Sequence, residues 1–159
     1  MQADHNCNTP LSFDQFIKQL IISCPDSDSE IAIGGAALLD EQLYQLLAAS
    51  LLGSQTQIDS LLNLAGRRKQ LAYCIGLISP AEFEELGAIG KIRNRFAHDF
   101  PRPTFQSNAI RHLVSLLANY HAGLVDGLDR RDIYLGAVRH MSNRLAARLE
   151  RVRRIRGVG

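Results

Sequence analysis

Cysteine is scarce in this chain of 159 residues: there are three, Cys7, Cys24 and Cys74. They are odd in number, widely spaced and without a CxxC. That excludes a disulfide scaffold and a paired-cysteine zinc site, and it fits reduced thiols in a cytoplasm. No apolar run approaches the ~18 residues a membrane span needs, so no membrane partner is expected. The N-terminal MQADHNCNTP carries acid in place of the Lys or Arg of a leader's first region, so no signal peptide is expected. There is no P-loop, no GxGxxG behind a strand and no HExxH. His112, His121 and His140 lie nine or more residues apart and form no helical metal pair, so neither metal nor cofactor is expected.

What is present suits one globular domain. Hydrophobic residues make up 46% and charged residues 21%, close to the soluble average. A chain of this length buries roughly 70% of its unfolded surface, enough to fold without a disulfide or a metal. The net charge of +2 hides an asymmetry: residues 1–90 carry four bases against eleven acids, whereas residues 91–159 carry fourteen bases against five acids. Seven of those arginines fall between 139 and 156. Such a split brings acidic and basic surfaces together in a dimer, or offers a basic face to nucleic acid.

The punctuation is helical throughout. Ser12 and Gln15 form a capping box ahead of a stripe of Phe13, Phe16, Ile17, Leu20 and Ile21, with a stop near Cys24-Pro25. Ser27 and Glu30 make a second capping box, and the long apolar helix it opens runs to Gly53. Gly34 and Gly35 sit inside it, and because a mid-helix glycine costs ~1 kcal/mol against alanine, a close helix contact is expected there. A short helix over 56–63 and another from Arg67 to Gly76 follow. Ser79-Pro80-Ala81-Glu82 is the clearest start signal, opening a helix that Pro101 and Pro103 end near His98. Ile110, Leu113, Val114, Leu117 and Leu124 mark the next helix. Asp129 and Asp132 open the last, which carries Val138, Met141, Leu145, Leu149, Val152 and Ile155 on one face. With no strand and no repeat in the pattern, the expected fold is an all-α bundle of six to seven helices. Residues 1–128 form its core domain, and residues 129–159 form a basic amphipathic helix packed on it.

One polar constellation carries a chemical mechanism: Lys91-Ile92-Arg93-Asn94-Arg95-Phe96-Ala97-His98-Asp99. Leu86, Ile89, Arg93 and Phe96 follow helical spacing, which places Arg93 on the apolar stripe, while Asn94 and His98 share the adjacent face. A structural reading pairs Arg93 with a carboxylate such as Asp40 or Glu41 and sets His98 against the last carbonyls of its helix. A chemical reading has Arg93 neutralise a phosphoryl group, His98 move a proton and Asn94 orient it. The last helix poses a similar choice. Arg144, Arg148 and Arg151 recur at i, i+4 and i+7, and Arg153, Arg154 and Arg156 extend the charge. They either contact the acidic half of this chain or of a second copy, or they bind phosphate backbones without reading sequence. Gly87-Ala88-Ile89-Gly90 has the composition of small-residue packing.

Three ordered motifs, Ile33-Gly34-Gly35-Ala36-Ala37-Leu38-Leu39-Asp40-Glu41-Gln42-Leu43, LAYCIGLIS at 71–79 and KIRNRFAH at 91–98, resemble the mannitol operon repressor (MtlR-like) family over roughly residues 30–120. The resemblance implies an all-helical bacterial regulator or corepressor that lacks a DNA-binding motif and works through protein partners. Members of that family usually have a longer loop before LAY; here it is cut to residues 63–68, which would alter a partner site built on it. Arg93-Asn94-x-x-x-His98 also resembles the motif of the HEPN superfamily, with Phe100 where its toxin members often have tyrosine. That second resemblance implies a metal-independent ribonuclease, in which two copies bring arginine and histidine into one cleft, with an antitoxin as partner. The expectation taken from these motifs is a cytoplasmic regulator, homodimeric and acting through protein contacts. The alternative is a ribonuclease using Arg93 and His98, and non-specific nucleic-acid binding by the C-terminal arm is compatible with either.

Overall fold

A computed structural model of the chain describes residues 12–23, 27–63, 65–120 and 128–157. Cys7, Cys24-Pro25, His121 and Leu124 lie outside these residues. Seven helices follow one another: α1 (Phe13–Ser23), α2 (Asp28–Ser50), α3 (Gln55–Leu62), α4 (Ala65–Cys74), α5 (Pro80–His98), α6 (Asn108–Tyr120) and α7 (Arg130–Arg156). The described residues contain no strand, and the all-α expectation holds.

Helix α2 is the axis of the bundle. α7 runs along one side of it, α5 and α4 pack on the other, α6 bridges α5 and α7, and α1 closes over α2 and α7. The core lies between α2, α5 and α7, where Leu39, Leu46, Ile89, Ile92, Val138 and Met141 are all buried. Each such side chain contributes about 1.5–3 kcal/mol on leaving water. Phe96 of α5, Phe105 of the α5–α6 connection and Tyr134 of α7 form an aromatic chain, with centroids 5.0 and 5.2 Å apart. Buried hydrogen bonds also join α2 to α7: Gln42 Nε2 donates to Ser142 Oγ at 2.9 Å, and the Tyr134 hydroxyl donates to the Ala32 carbonyl at 2.7 Å. The last helix therefore packs into the core through its apolar face. It buries Tyr134, Leu145 and Leu149, although Ile155 at its end is 78% exposed and leaves the expected apolar face.

The expected start signals are present, with one difference at α2. Gln15 N–H donates to Ser12 Oγ while Ser12 N–H donates to Gln15 Oε1, and Ser79 and Glu82 close a reciprocal box at α5. Ser27 caps α2 by accepting from the Glu30 amide, without the return bond from Glu30 that would complete the expected box, and Asp129 caps α7. A further box at Ser54 and Gln57 opens α3 and was not anticipated. α2 ends at Ser50, earlier than the glycine-based expectation, because Leu51 turns to extended geometry. Gly53, at φ +148°, belongs to the linker into α3. α4 ends at Cys74 in a Schellman turn: Gly76 takes φ +75°, and Leu77 N–H reaches the Ala72 carbonyl at 2.8 Å.

At Gly34 and Gly35 two helices approach α2 closely. A β-carbon at Gly34 would lie 2.8 Å from Phe16 of α1, and one at Gly35 would lie 3.1 Å from the Tyr134 hydroxyl of α7. The close contact expected of this pair exists, and it is made within the chain.

Candidate functional site

The second half of α5 carries the motif residues. Its inward face is Leu86, Ile89, Ile92 and Phe96, all buried, so the stripe passes through Ile92 and leaves Arg93 beside it. Arg93 is exposed, contrary to its expected place on the apolar face, and its Nη1 donates to Asn94 Oδ1 at 3.0 Å. A helix turns 100° per residue, so burying both 92 and 96 rotates 93 outward.

The expected carboxylate partner of Arg93 is also taken. Asp40 is ion-paired with Arg68 of α4, whose Nε donates to the Leu62 carbonyl at 2.9 Å and whose guanidinium lies 5.0 Å over the Tyr44 ring. Burial raises the Asp40 pKa above 3.8, and the neighbouring Arg68, with a smaller effect from Arg93, opposes the rise. Glu41 accepts from Gln45 at 3.0 Å. Tyr44 bonds to Asp59, which also accepts from Gln55 Nε2 at 2.7 Å, so a polar network fastens α2, α3 and α4 together.

Two grooves flank this stretch of α5. The first, of about 550 Å³, lies between α2, α4 and α5 and has Lys69, Lys91, Arg93 and Asn94 at its edge, with Asp40 inside. The second, of about 410 Å³, lies between α5 and α6 and takes in Lys91, Asn94, Arg95, His98, Asp99 and His112. Asn94 lines both, whereas Arg93 opens only to the first and His98 only to the second. One chain thus separates the arginine and histidine that the motif suggested would act together. His98 sits in the last turn of α5, and its exposed side chain makes no hydrogen bond among the described residues. Arg95 pairs with Asp99 at 3.2 Å, and Phe100 just beyond is 97% exposed. Among the described residues no three His, Cys, Asp or Glu side chains come together as metal ligands. Nor is any helix among them long and apolar enough to cross a membrane.

The sequence assigns no role to Lys69, Arg68 or His112 at this site, and Lys91 enters only as the first residue of the motif. Lys69 and Arg68 matter because α4 folds back against α2 and α5, and His112 because α6 packs on α5; neither pairing leaves a local signal. Burial lowers the Lys69 pKa; Glu84 opposes this, and the like charge of Lys91 adds to it. Its Nζ lies 4.0 Å above the Phe83 ring.

The arginines of α7 divide into two groups. Arg144 Nε and Arg148 Nη2 each lie 2.8 Å from Glu82 Oε1, which is 1% exposed. These are ion pairs without an aligned N–H, because Oε1 has no donor in hydrogen-bond geometry. Burial raises the Glu82 pKa, but the Ser79 amide and the two arginines outweigh it and hold the carboxyl below 4.5. Arg156 donates to the Leu51 carbonyl at 2.9 Å and to that of Ser50, covering the end of α2. Arg151, Arg153 and Arg154 make no ion pair among the described residues and keep their charge for solvent or a ligand.

Fold and site together define an all-α protein with a cationic, apolar-floored groove on one side of α5 and a histidine-bearing groove on the other. Comparison with protein-family models, with curated proteins and with solved structures finds no match to this chain.

Proposed function

We propose that the protein is a bacterial transcriptional regulator or corepressor of the mannitol-repressor type, a cytoplasmic homodimer that acts through contacts with other proteins. The observation that carries this reading is the division of the motif between two grooves. A phosphoryl-transfer site needs its charge-neutralising arginine and its proton-moving histidine on the same phosphate. Here Arg93 faces an open groove with an apolar floor, a composition suited to recognition. Dimerisation rests on the charge asymmetry, since Gly34, Gly35 and the apolar face of α7 are occupied within the chain.

A ribonuclease is the second reading. What favours it is that His98 and His112 line one groove together with Lys91 and Asn94, which would supply a base, an acid and an anion contact once a second copy brought in its own arginine.

One experiment tests the first reading against the second. The gene is deleted, transcripts are profiled, and the strain is complemented with wild type or with His98→Ala. Derepression of a defined operon, corrected equally by both, is the result expected of a regulator. Unchanged transcripts in the deletion would refute it. Failure of His98→Ala alone, with metal-free cleavage of labelled single-stranded RNA by the wild type, would establish the ribonuclease instead.

A further inference from the structure

Resting on the regulator reading, we infer that the groove between α2, α4 and α5 is the partner site and that it takes an acidic amphipathic helix of another protein. Three observations combine. The floor is apolar and partly open to solvent: Ile33 and Ala37, one turn apart on α2, are exposed beside the groove. The wall formed by α5 is low at Gly90, where a β-carbon would meet nothing within 4 Å, while at Gly87 the Lys69 ammonium lies 3.1 Å from the place a β-carbon would take. The charge is one-sided: Lys69, Lys91 and Arg93 rim the groove, while its one acid, Asp40, is already paired with Arg68.

Each observation narrows the occupant. A floor of Ile33, Ala37 and Leu86 calls for apolar side chains, and a rim on which three cations outnumber the one paired acid calls for carboxylates beside them. A low glycine wall lets a helix axis approach closely, and the described residues offer no strand edge onto which an extended peptide could add. Nucleic acid fits less well, because no aromatic ring lines the groove for bases to stack on. Lys69 points the same way. Its ammonium is partly buried near Lys91, with Glu84 opposing both effects, so a partner carboxylate would add to the compensation that Glu84 begins.

The test selects 16-residue peptides from a display library against the full-length protein and measures binding of the recovered, labelled peptides by anisotropy. Leucine-like residues at i, i+3 or i+4 and i+7, flanked by Asp or Glu, are the expected consensus. The double variant Lys91→Glu/Arg93→Glu should weaken binding about tenfold, since two exposed ion pairs with the partner are replaced by like charges. Gly90→Phe, which fills the groove from an open position, should abolish binding, and His112→Ala in the other groove should leave it within about twofold. Circular dichroism confirms that each variant is folded. Neutral or basic peptides, no enrichment, or binding that ignores Gly90→Phe would overturn the proposal. So would poly-uridine RNA that binds in the peptide's place and is lost in Lys91→Glu/Arg93→Glu. A wild-type dimer that becomes a monomer in that variant would identify the occupant as a second copy, and likewise overturn it. If the transcript experiment succeeds while the peptides ignore the groove, the regulator reading stands and this site falls.

Discussion

The Tyr134 hydroxyl donates to the Ala32 carbonyl at 2.7 Å and lies 3.1 Å from the place where a β-carbon would stand at Gly35. A tyrosine that is 0% exposed on α7 is thus seated against a helix that makes room for it by lacking a side chain. The same β-carbon would also approach Val138 Cγ2 at 3.2 Å, so two buried groups would have to move together.

Two glycine-to-alanine variants should therefore differ in sign. Alanine gains ~1 kcal/mol of helix propensity at either position. At Gly90 nothing opposes that gain, and stability should rise by about 0.5–1 kcal/mol. At Gly35 overpacking against Tyr134 and Val138 costs about 1–3 kcal/mol and cancels or exceeds it. Urea melts of both variants beside the wild type measure the difference. Equal stabilisation by the two would show that α2 and α7 are not in close contact at Gly35.

Tyr134→Phe isolates the hydroxyl from the ring. The Ala32 carbonyl sits inside α2, so what is lost is one buried hydrogen bond, about 1 kcal/mol. The fold should survive with its helical spectrum unchanged. A loss above about 3 kcal/mol would mean that the hydroxyl supports more than this single bond.

Glu82 makes stability depend on acid. Its carboxyl is held below 4.5 in the fold by the Ser79 amide and by Arg148 and Arg144, so the folded state favours the ionised form. That contribution is complete above the unfolded value and is lost as pH falls through the folded one. Asp40 has the opposite sign, since burial raises its pKa and protonation on acidification relieves a cost. Glu82→Gln keeps a capping side chain at α5 but removes the charge. It should cost about 1–2 kcal/mol at pH 7, because the arginines that lose their partner are partly exposed. The deficit should shrink below pH 4.5, the ordinary glutamate value. Denaturation midpoints at pH 7 and pH 4 decide it, and a deficit that stays constant would exclude the ion pairs as its source.

The helices were legible because their signals are local. Ser79-Pro80-Ala81-Glu82 specifies a start within four residues, and Gly34-Gly35 announced a close contact without naming what makes it. Arg93 was misplaced because spacing from Ile89 allows either 92 or 93 to continue the stripe, and only the packing of α5 on α2 decides for Ile92. The partner of Asp40 was invisible for a similar reason. Arg68 lies 28 residues away and reaches Asp40 only because α4 returns to α2. The grooves are products of three-helix and two-helix junctions, and no stretch of sequence contains either.

The basic arm gives the last prediction, and its form follows from the packing. Deleting residues from Arg144 onward would remove Leu145 and Leu149 from the core and strip Glu82 of both its partners, so loss of nucleic-acid binding would report only unfolding. Arg151, Arg153 and Arg154 carry no ion pair among the described residues and are replaceable by glutamine at a cost within about 0.5 kcal/mol in total. If the arm binds phosphate backbones, the triple variant should lose most of its affinity for duplex DNA and for single-stranded RNA. The slope of log K against log salt should fall by roughly 2–3, because each neutralised phosphate contributes about 0.7–0.9. Arg144→Gln/Arg148→Gln should do the reverse, lowering stability by about 1–3 kcal/mol through the stranded Glu82 carboxylate while leaving the salt slope nearly unchanged. Filter binding across a salt series, beside urea melts, separates the two sets. Should the triple variant bind as tightly as the wild type, the contact is not on the arm, and the three free arginines are a solvated end of α7.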